Sequence, residues 1–220
     1  MSPSLSPGSV DESQSVYTVV LADDSRLLRE SMEKTMKVIF PSCRVVGEAS
    51  DGEGALELCL RLKPDVLITE LRLPKKNGIL LIHELKTLLP GTSVIVHTGS
   101  ESATMLSLAC DAQPAAILHS DDGLTGLRKA FEAATTGEWY ISKAVVDRIK
   151  RHAAEVVLLT PTELAVLSCL ARSQQTKEIA ATINKSERTV AAHRESIYKK
   201  TGTHDMPGLL VWAMRNGLVE

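Results

Sequence analysis

Five residues in the first 120 positions carry groups able to act together: the acids Asp23, Asp24 and Glu70, the hydroxyl of Thr98 and the imidazole of His119. Three carboxylates are hard oxygen donors that suit Mg²⁺. Crowded without a counter-charge they raise one another's pKa, so such a group either takes a cation or keeps a proton, and the residues alone leave both open. His119 reads either as a packed ring at a strand end or as a pH-sensitive partner of those acids. A second set falls in the last quarter of the chain. There helical spacing puts Arg188, Ala191, Ala192, Glu195 and Lys199 on one outer face, in a mildly basic stretch of the kind that meets an anion.

The elements that must position the first set are short apolar runs alternating with stretches of helical period. The runs are Thr18–Ala22, Arg44–Glu48, Val66–Glu70, Val94–Thr98 and Ala115–His119. Their continuous Val, Ile and Leu, without polar alternation, imply burial on both faces and hence a parallel sheet. Helical spacing begins near positions 25, 51, 77, 101 and 123; in the third stretch Ile79, Ile82, Leu85 and Leu89 share one stripe. The expected fold is therefore an α/β doubly wound five-stranded parallel sheet over 16–137. All five chemistry-bearing positions then fall at the carboxyl ends of strands, where such sheets collect ligands.

The remainder divides simply. Residues 1–15 are rich in Ser and Pro and read as a disordered tail, and 138–156 as a partly helical linker carrying Val145, Val146 and Ile149. From 157 to 220 the pattern is all helical. Thr160-Pro161-Thr162-Glu163 is a capping box with Pro in the first turn. Helices follow to about Arg172, from Thr176 to Ile183, from Ser186 to Lys200 and from Pro207 to Asn216, and the middle pair has the length and short turn of a helix-turn-helix.

Charge supports two modules. The 220 residues carry 25 basic and 27 acidic groups, which excludes a polycationic protein. Residues 1–136 hold 13 basic and 18 acidic groups, whereas 157–220 hold 8 and 6, an acidic front joined to a mildly basic back. The first basic residue is Arg26, and the longest apolar run, Leu209–Met214, is far below the roughly 20 residues of a membrane span. Cys43, Cys59, Cys110 and Cys169 form no CxxC pair. Reduced thiols and a cytoplasmic location, without membrane contact, are the expectation.

The run Pro64-Asp65-Val66-Leu67-Ile68-Thr69-Glu70-Leu71-Arg72-Leu73-Pro74-Lys75-Lys76-Asn77-Gly78, with Asp23-Asp24 and Thr98, resembles the receiver domain of bacterial response regulators. The resemblance implies an acidic pair for Mg²⁺, a phosphoacceptor at position 70, and switch residues at 98, 116 and 119. Three positions depart from it: Glu70 stands for the acceptor Asp, His119 for the Lys, and Ala116 for the swinging aromatic. Glu is one methylene longer, which moves the attacking oxygen by about 1 Å and costs on the order of 10²-fold in an in-line transfer. Losing Lys removes a permanent positive charge. Glu70 is thus either drift in a silent pocket or a partial imitation of an acyl phosphate, with about −1 charge against about −2. Asp65, at the opposite end of the strand, does not replace it.

The segment from Leu159 through Thr160-Pro161-Thr162-Glu163, Lys177-Glu178-Ile179-Ala180, Ser186-Glu187-Arg188-Thr189-Val190, His193-Arg194, Lys199-Lys200 and Gly202 resembles the LuxR-type DNA-binding domain. The whole chain is thus similar to NarL/FixJ-type response regulators, which are transcription factors. By that resemblance Lys177, Thr189, His193, Arg194 and Lys199 contact phosphates or groove walls of double-stranded DNA. Arg188, Ala191, Ala192, Glu195 and Lys199 share the outer face of the second helix, while Val190 and Ile197 face inward. Base reading then falls to Ala191, Ala192 and Glu195, although Glu195 also stands four residues before Lys199, the order favouring a surface ion pair. Leu209, Leu210, Trp212 and Ala213 are divided between core and a homodimer contact.

The leading expectation is a DNA-binding regulator, not an enzyme, that acts without conventional phosphorylation. It requires no cofactor, with Mg²⁺ at Asp23, Asp24 and Glu70 left open, and works through a standing dimer or a protein or small-molecule ligand on the receiver. One alternative is a Mg²⁺-dependent phosphorylation switch using Glu70 or Thr98. The other is an interaction adaptor without sequence-specific DNA binding, suggested by the two alanines on the recognition face.

Overall fold

The protein is described here by a computed structural model covering residues 16–219; the N-terminal tail expected at 1–15 lies outside the described residues. Strands β1 (Tyr17–Ala22), β2 (Cys43–Ala49), β3 (Val66–Thr69), β4 (Ser93–Thr98), β5 (Ala116–His119) and β6 (Tyr140–Ile141) form one parallel sheet in the order β2-β1-β3-β4-β5-β6. All four residues of β3 are buried, as a central strand covered on both faces requires. Helices α1 (Arg26–Ile39) and α5 (Gly123–Thr136) cover one face through Met36, Leu127 and Phe131. Helices α2 (Gly52–Leu62), α3 (Gly78–Leu88) and α4 (Ala103–Asp111) cover the other through Cys59, Ile79, Ile82, Leu85 and Met105.

Each of the first four helices starts where a short polar side chain satisfies an orphan N–H. Ser25 accepts from Leu28 N, Asp51 from Gly54 N, Asn77 from Leu80 N and Ser102 from Met105 N. Gly78 is required by close approach. A Cβ there would lie 2.5 Å from Glu70 O and 2.9 Å from Leu71 Cα, so only glycine lets α3 begin against the loop after β3.

One expectation is corrected here: the sheet has six strands, not five, and the sixth lies in the segment 138–156 expected as a partly helical linker. Tyr140 N donates to Ala115 O at 3.0 Å and Ser142 N to Ile117 O at 2.9 Å, which adds β6 to the edge. Helix α6 (Lys143–Arg151) then packs on α4 and β5, with Ser142 and Val145 fully buried. The two-residue strand is too short to show a period, so only the apolar positions of α6 signalled this packing.

Four helices follow: α7 (Pro161–Ala171), α8 (Thr176–Thr182), α9 (Glu187–Thr201) and α10 (Met206–Arg215). Glu163, 3% exposed, closes the capping box, with Glu163 N donating to Thr160 Oγ1 at 3.2 Å and Thr160 N to Glu163 Oε2 at 2.7 Å. Ser196 Oγ and Lys200 Nζ of α9 donate to the same carboxylate at 2.6 and 2.7 Å. One side chain thus caps α7 and ties it to α9. No described helix is long and apolar enough to cross a membrane.

Burial alone would raise the Glu163 pKa, but Lys200, Ser196 and the Thr160 N–H outweigh it and hold the carboxyl at about 2, below its ordinary 4.5. A folded pKa below the unfolded one gives stability that is complete above about pH 4.5 and lost as pH falls toward 2. Thermal melts of Glu163→Gln should therefore lie below the parent at pH 7 and converge with it near pH 2–3. A gap that stays constant with pH would contradict this assignment.

Candidate switch pocket and nucleic-acid interface

Glu70 stands just past β3, where the sheet's carboxyl edge meets the loops into α3 and α4. Its longer side chain does not reach outward. Oε1 accepts from Leu71 N at 2.6 Å, from Arg72 N at 3.4 Å and from the Thr98 hydroxyl; Oε2 accepts from Gly99 N at 3.2 Å. Three backbone N–H groups and a fully buried hydroxyl therefore converge on one carboxylate. This is an anion cradle filled by the chain's own side chain, and it staples the β3–α3 loop to the β4–α4 loop.

The three acids do not assemble as one metal site. Among the described residues the one cluster of potential ligands is Glu101, His119 and Asp121. Glu70 is turned into the cradle, and Asp23 Oδ1 accepts from Ser25 N at 2.8 Å. Asp23 and Asp24 alone retain oxygen donors of the kind that suit a hydrated Mg²⁺, but Glu70 is not placed as a third ligand. Burial raises the Asp23 pKa, opposed by the Ser25 N–H and reinforced by the charges of Glu70 and Asp24. Arg29, the nearby cation, spends its donors on Glu48 Oε2 and on the carbonyls of Asp23 and Asp24.

His119 does not serve those acids either. It is 3% exposed, and its Nδ1 accepts from Asp121 N at 3.1 Å; Nε2 lies 3.6 Å from Glu101 Oε1. Arg148 of α6 completes this separate cluster, donating to both Glu101 oxygens at 2.9 Å and to Asp121 Oδ2 at 2.6 Å. The guanidinium supplies the positive charge that a metal would have brought to that spot. Sequence reasoning missed Arg148 because it sits among exposed cations in a segment read as a linker. Ala116 is fully buried, so no ring swings at that position.

The loops stapled by Glu70 also carry the C-terminal domain. Ser100 N donates to Thr98 Oγ1 at 3.1 Å, and Ser102 N to Ser100 Oγ at 3.3 Å. Ser102 Oγ donates to Asn216 Oδ1 at 3.1 Å, and Asn77 Nδ2 to Leu218 O at 3.3 Å. Between them Gly217, at φ +70°, passes so close that a Cβ would lie 2.9 Å from Arg72 Cδ and 3.2 Å from Met105 Sδ. Glu53 and Arg172 add an exposed ion pair at 3.4 Å, and Thr104 Oγ1 accepts from Val157 N at 3.2 Å.

On α9 the outer face is free of the N-terminal domain. Arg188, Ala191, Ala192, Glu195 and Lys199 are exposed, as is Lys177 on α8, whereas Val190 and Ile197 are fully buried. Arg194 and His193 are half-buried at the flank, with Arg194 Nη1 3.5 Å from Thr176 Oγ1; Thr189 shares a 2.8 Å hydrogen bond with Ser186. Among the described residues Lys177, Arg188 and Lys199 enter no ion pair, and Glu195 does not pair with Lys199. Lys200 faces inward to Glu163, an internal role. Of the four residues divided between core and a dimer contact, Leu209 and Ala213 are 0% exposed and belong to the core, not to a dimer contact. Leu210 and Trp212 are half-buried, and the apolar side chains that α10 presents outward are Val211 and Met214.

The thiols take no part. Burial pushes Cys59 up to about 12 and Cys110 up to about 11, and raises Cys43 and Cys169 as well. None is a ready thiolate.

If Arg148 anchors α6, Arg148→Ala should loosen the segment between the sheet edge and α7. Limited proteolysis with a Glu-specific protease should then cut faster at Glu138 and Glu155 than in the parent. Unchanged cleavage would show that Val145 packing alone holds the helix.

Residues 19–132 match the response regulator receiver domain and residues 157–213 the bacterial regulatory proteins of the luxR family. The nitrate/nitrite response regulator NarL of Escherichia coli K12 is 29% identical over 207 residues, covering 90% of this chain and 95% of that protein. The uncharacterized transcriptional regulatory protein YxjL of Bacillus subtilis 168 is 29% identical over 212 residues, covering 92% of this chain and 97% of that protein. Among solved structures, RcsB from Salmonella enterica serovar Typhimurium, bound to promoter rprA with phosphomimetic BeF3⁻, aligns at TM-score 0.67 and 28% identity over 89% of this chain and 97% of that one. A structure of two RcsB dimers on two parallel DNAs aligns at TM-score 0.58, with 28% identity over 91% and 98%. With both family matches falling on the two domains just described, the chain belongs to the response regulators that join a receiver domain to a LuxR-type helix-turn-helix.

Proposed function

We propose that this response regulator is a cytoplasmic, non-enzymatic transcription factor whose receiver is held in its signalling form by its own Glu70. The carrying observation is the set of four donors from Leu71, Arg72, Thr98 and Gly99 on one carboxylate. A phosphoryl group on a shorter Asp would present oxygens to donors of this kind; here the extra methylene delivers carboxylate oxygens directly. Nucleophilic use of Glu70 is disfavoured by the same contacts, which engage both oxygens, and by the absence of a lysine at position 119.

The DNA step follows from α8 and α9. Lys177, Arg188, Lys199, Arg194, Thr189 and His193 supply phosphate and groove contacts, which set affinity and register. Ala191 and Ala192 suit thymine methyls, and an unpaired Glu195 suits the N4 amine of cytosine. This free Glu195 favours sequence-specific binding over the adaptor reading. Homodimerisation through the exposed Val211 and Met214 of α10 would pair two recognition helices on half-sites, in keeping with the RcsB dimers on DNA.

Selection from random duplexes with the unmodified chain should enrich a motif, and Glu70→Ala should weaken binding to it by about 5- to 100-fold. Incubation with acetyl phosphate and Mg²⁺ should leave the intact mass unchanged. A stoichiometric phosphoryl adduct that switches on DNA binding would overturn the proposal. On the selected site, Glu195→Ala should relax one base preference worth about 1–3 kcal/mol. Lys199→Ala should instead lower the salt slope by about 0.9 without changing the motif.

A further inference from the structure

An open hollow of about 290 Å³ lies along the recognition helix, lined by Ala191, Arg194, Glu195 and Tyr198 of α9. These positions are spaced i, i+3, i+4 and i+7, so they share one side of the helix. Ala191 and Glu195 are exposed, whereas Arg194 and Tyr198 are half-buried toward the domain. The hollow owes its room to position 191, where the side chain ends at Cβ. Its lining is mostly apolar. Tyr198 is fixed from behind, packed against the buried cluster that holds Val190 and Ile197. Arg194 is tethered too, with Nη1 3.5 Å from Thr176 Oγ1. Ala192 lies outside the hollow, about a quarter-turn farther round the helix.

We infer that this hollow seats the C5 methyl group of one pyrimidine in the major groove, with Tyr198 as a specificity-determining residue. The inference rests on the DNA-binding reading, in which α9 lies in that groove, and adds to it the group that is read. The C5 methyl is the apolar projection of a pyrimidine's major-groove edge. An anchored tyrosine gains contact with it at little cost in side-chain freedom, because the ring is already held by the core. Cytosine and uracil lack the methyl and leave the apolar lining hydrated. Two bases carry the group, thymine and 5-methylcytosine, and the charged residues beside the hollow suit both. The Arg194 guanidinium is a donor for thymine O4, and the Glu195 carboxylate an acceptor for the N4 amine of the methylated cytosine. Tyr198 escapes a search for the outward face of α9 because it stands between that face and the core.

The test uses the full chain on the site it selects from random duplexes, with binding followed by fluorescence anisotropy at fixed salt. Each thymine of the site is replaced in turn by deoxyuridine, and each cytosine by 5-methyldeoxycytidine. At one position of the half-site the methyl should tighten binding about fourfold, the scale of one buried carbon group. The arm that responds identifies the base. The effect should survive Tyr198→Phe and vanish in Tyr198→Ala. Ala191→Leu, at an exposed helical position, should fill the hollow and erase the same effect with an unchanged thermal melt, which keeps the test decisive if Tyr198→Ala misfolds. Three results would overturn the inference: no methyl effect at any position of a selected site, methyl effects that persist in both Tyr198→Ala and Ala191→Leu, or a loss of affinity in these variants that is equal with and without the methyl. Each of these leaves DNA binding itself standing, whereas a chain that enriches no motif removes both readings.

Discussion

The structure turns on a buried hydroxyl and three backbone amides that all need an acceptor at the same point. An unfilled cradle of this kind costs free energy chiefly at the Thr98 hydroxyl, which is fully buried and would lose its water without gaining a partner, whereas the Arg72 and Gly99 amides lie toward solvent. Glu70 resolves the problem covalently, since it arrives with the strand itself. Its methylene, which moves the oxygen away from where phosphoryl transfer requires it, is also what lets the carboxylate fold back onto Thr98 and Gly99. The substitution therefore removes one chemistry and satisfies another. The two loops joined by that contact are the ones that seat Asn216, Gly217 and Leu218, so the occupancy of the cradle and the seating of the C-terminal domain share the same backbone.

Charge has been redistributed to match. The acids at the strand ends keep no lysine; burial first, and then the charges of Glu70 and Asp24, raise the Asp23 pKa against the Ser25 N–H and Arg29. On the adjacent rim the reverse holds. Arg148 holds both Glu101 and Asp121 below the usual carboxylate range, chiefly through its hydrogen bonds to them. One edge of the sheet is thus left short of positive charge while the other is neutralised by a helix outside the five-unit receiver pattern. The Arg148 contacts on the second rim fasten α6 to the fold. The pair at Glu101 and Asp121 is largely solvent-exposed, so its value is more in orientation than in strength.

Much of this was legible in the residues. Continuous apolar strands, helical spacing that begins near 25, 51 and 77, and the Thr160–Glu163 box state local rules that the tertiary fold does not override. The faces of α9 sorted correctly because Val190 and Ile197 are seven apart and a helix returns to the same side at that interval. What could not be read is instead decided by packing. Glu70 folds inward and His119 turns toward Asp121 because of donors brought from distant segments. Tyr140–Ile141 becomes a strand only because β5 offers an open edge. Leu209 and Ala213 are core, and Val211 and Met214 surface, by a rotation of α10 that six apolar residues in a row leave undetermined.

The most direct measurement is hydrogen exchange of the intact protein and of Glu70→Ala, without any phosphoryl donor. If Glu70 holds the two loops and thereby the C-terminal turn, the variant should lose protection at Leu71–Arg72, at Gly99–Ser102 and at Asn216–Leu218 together, while amides of β1 and α9 stay as in the parent. Loss confined to residues 71 and 72, with the C-terminal turn unchanged, would separate the cradle from the domain contact and contradict the central claim.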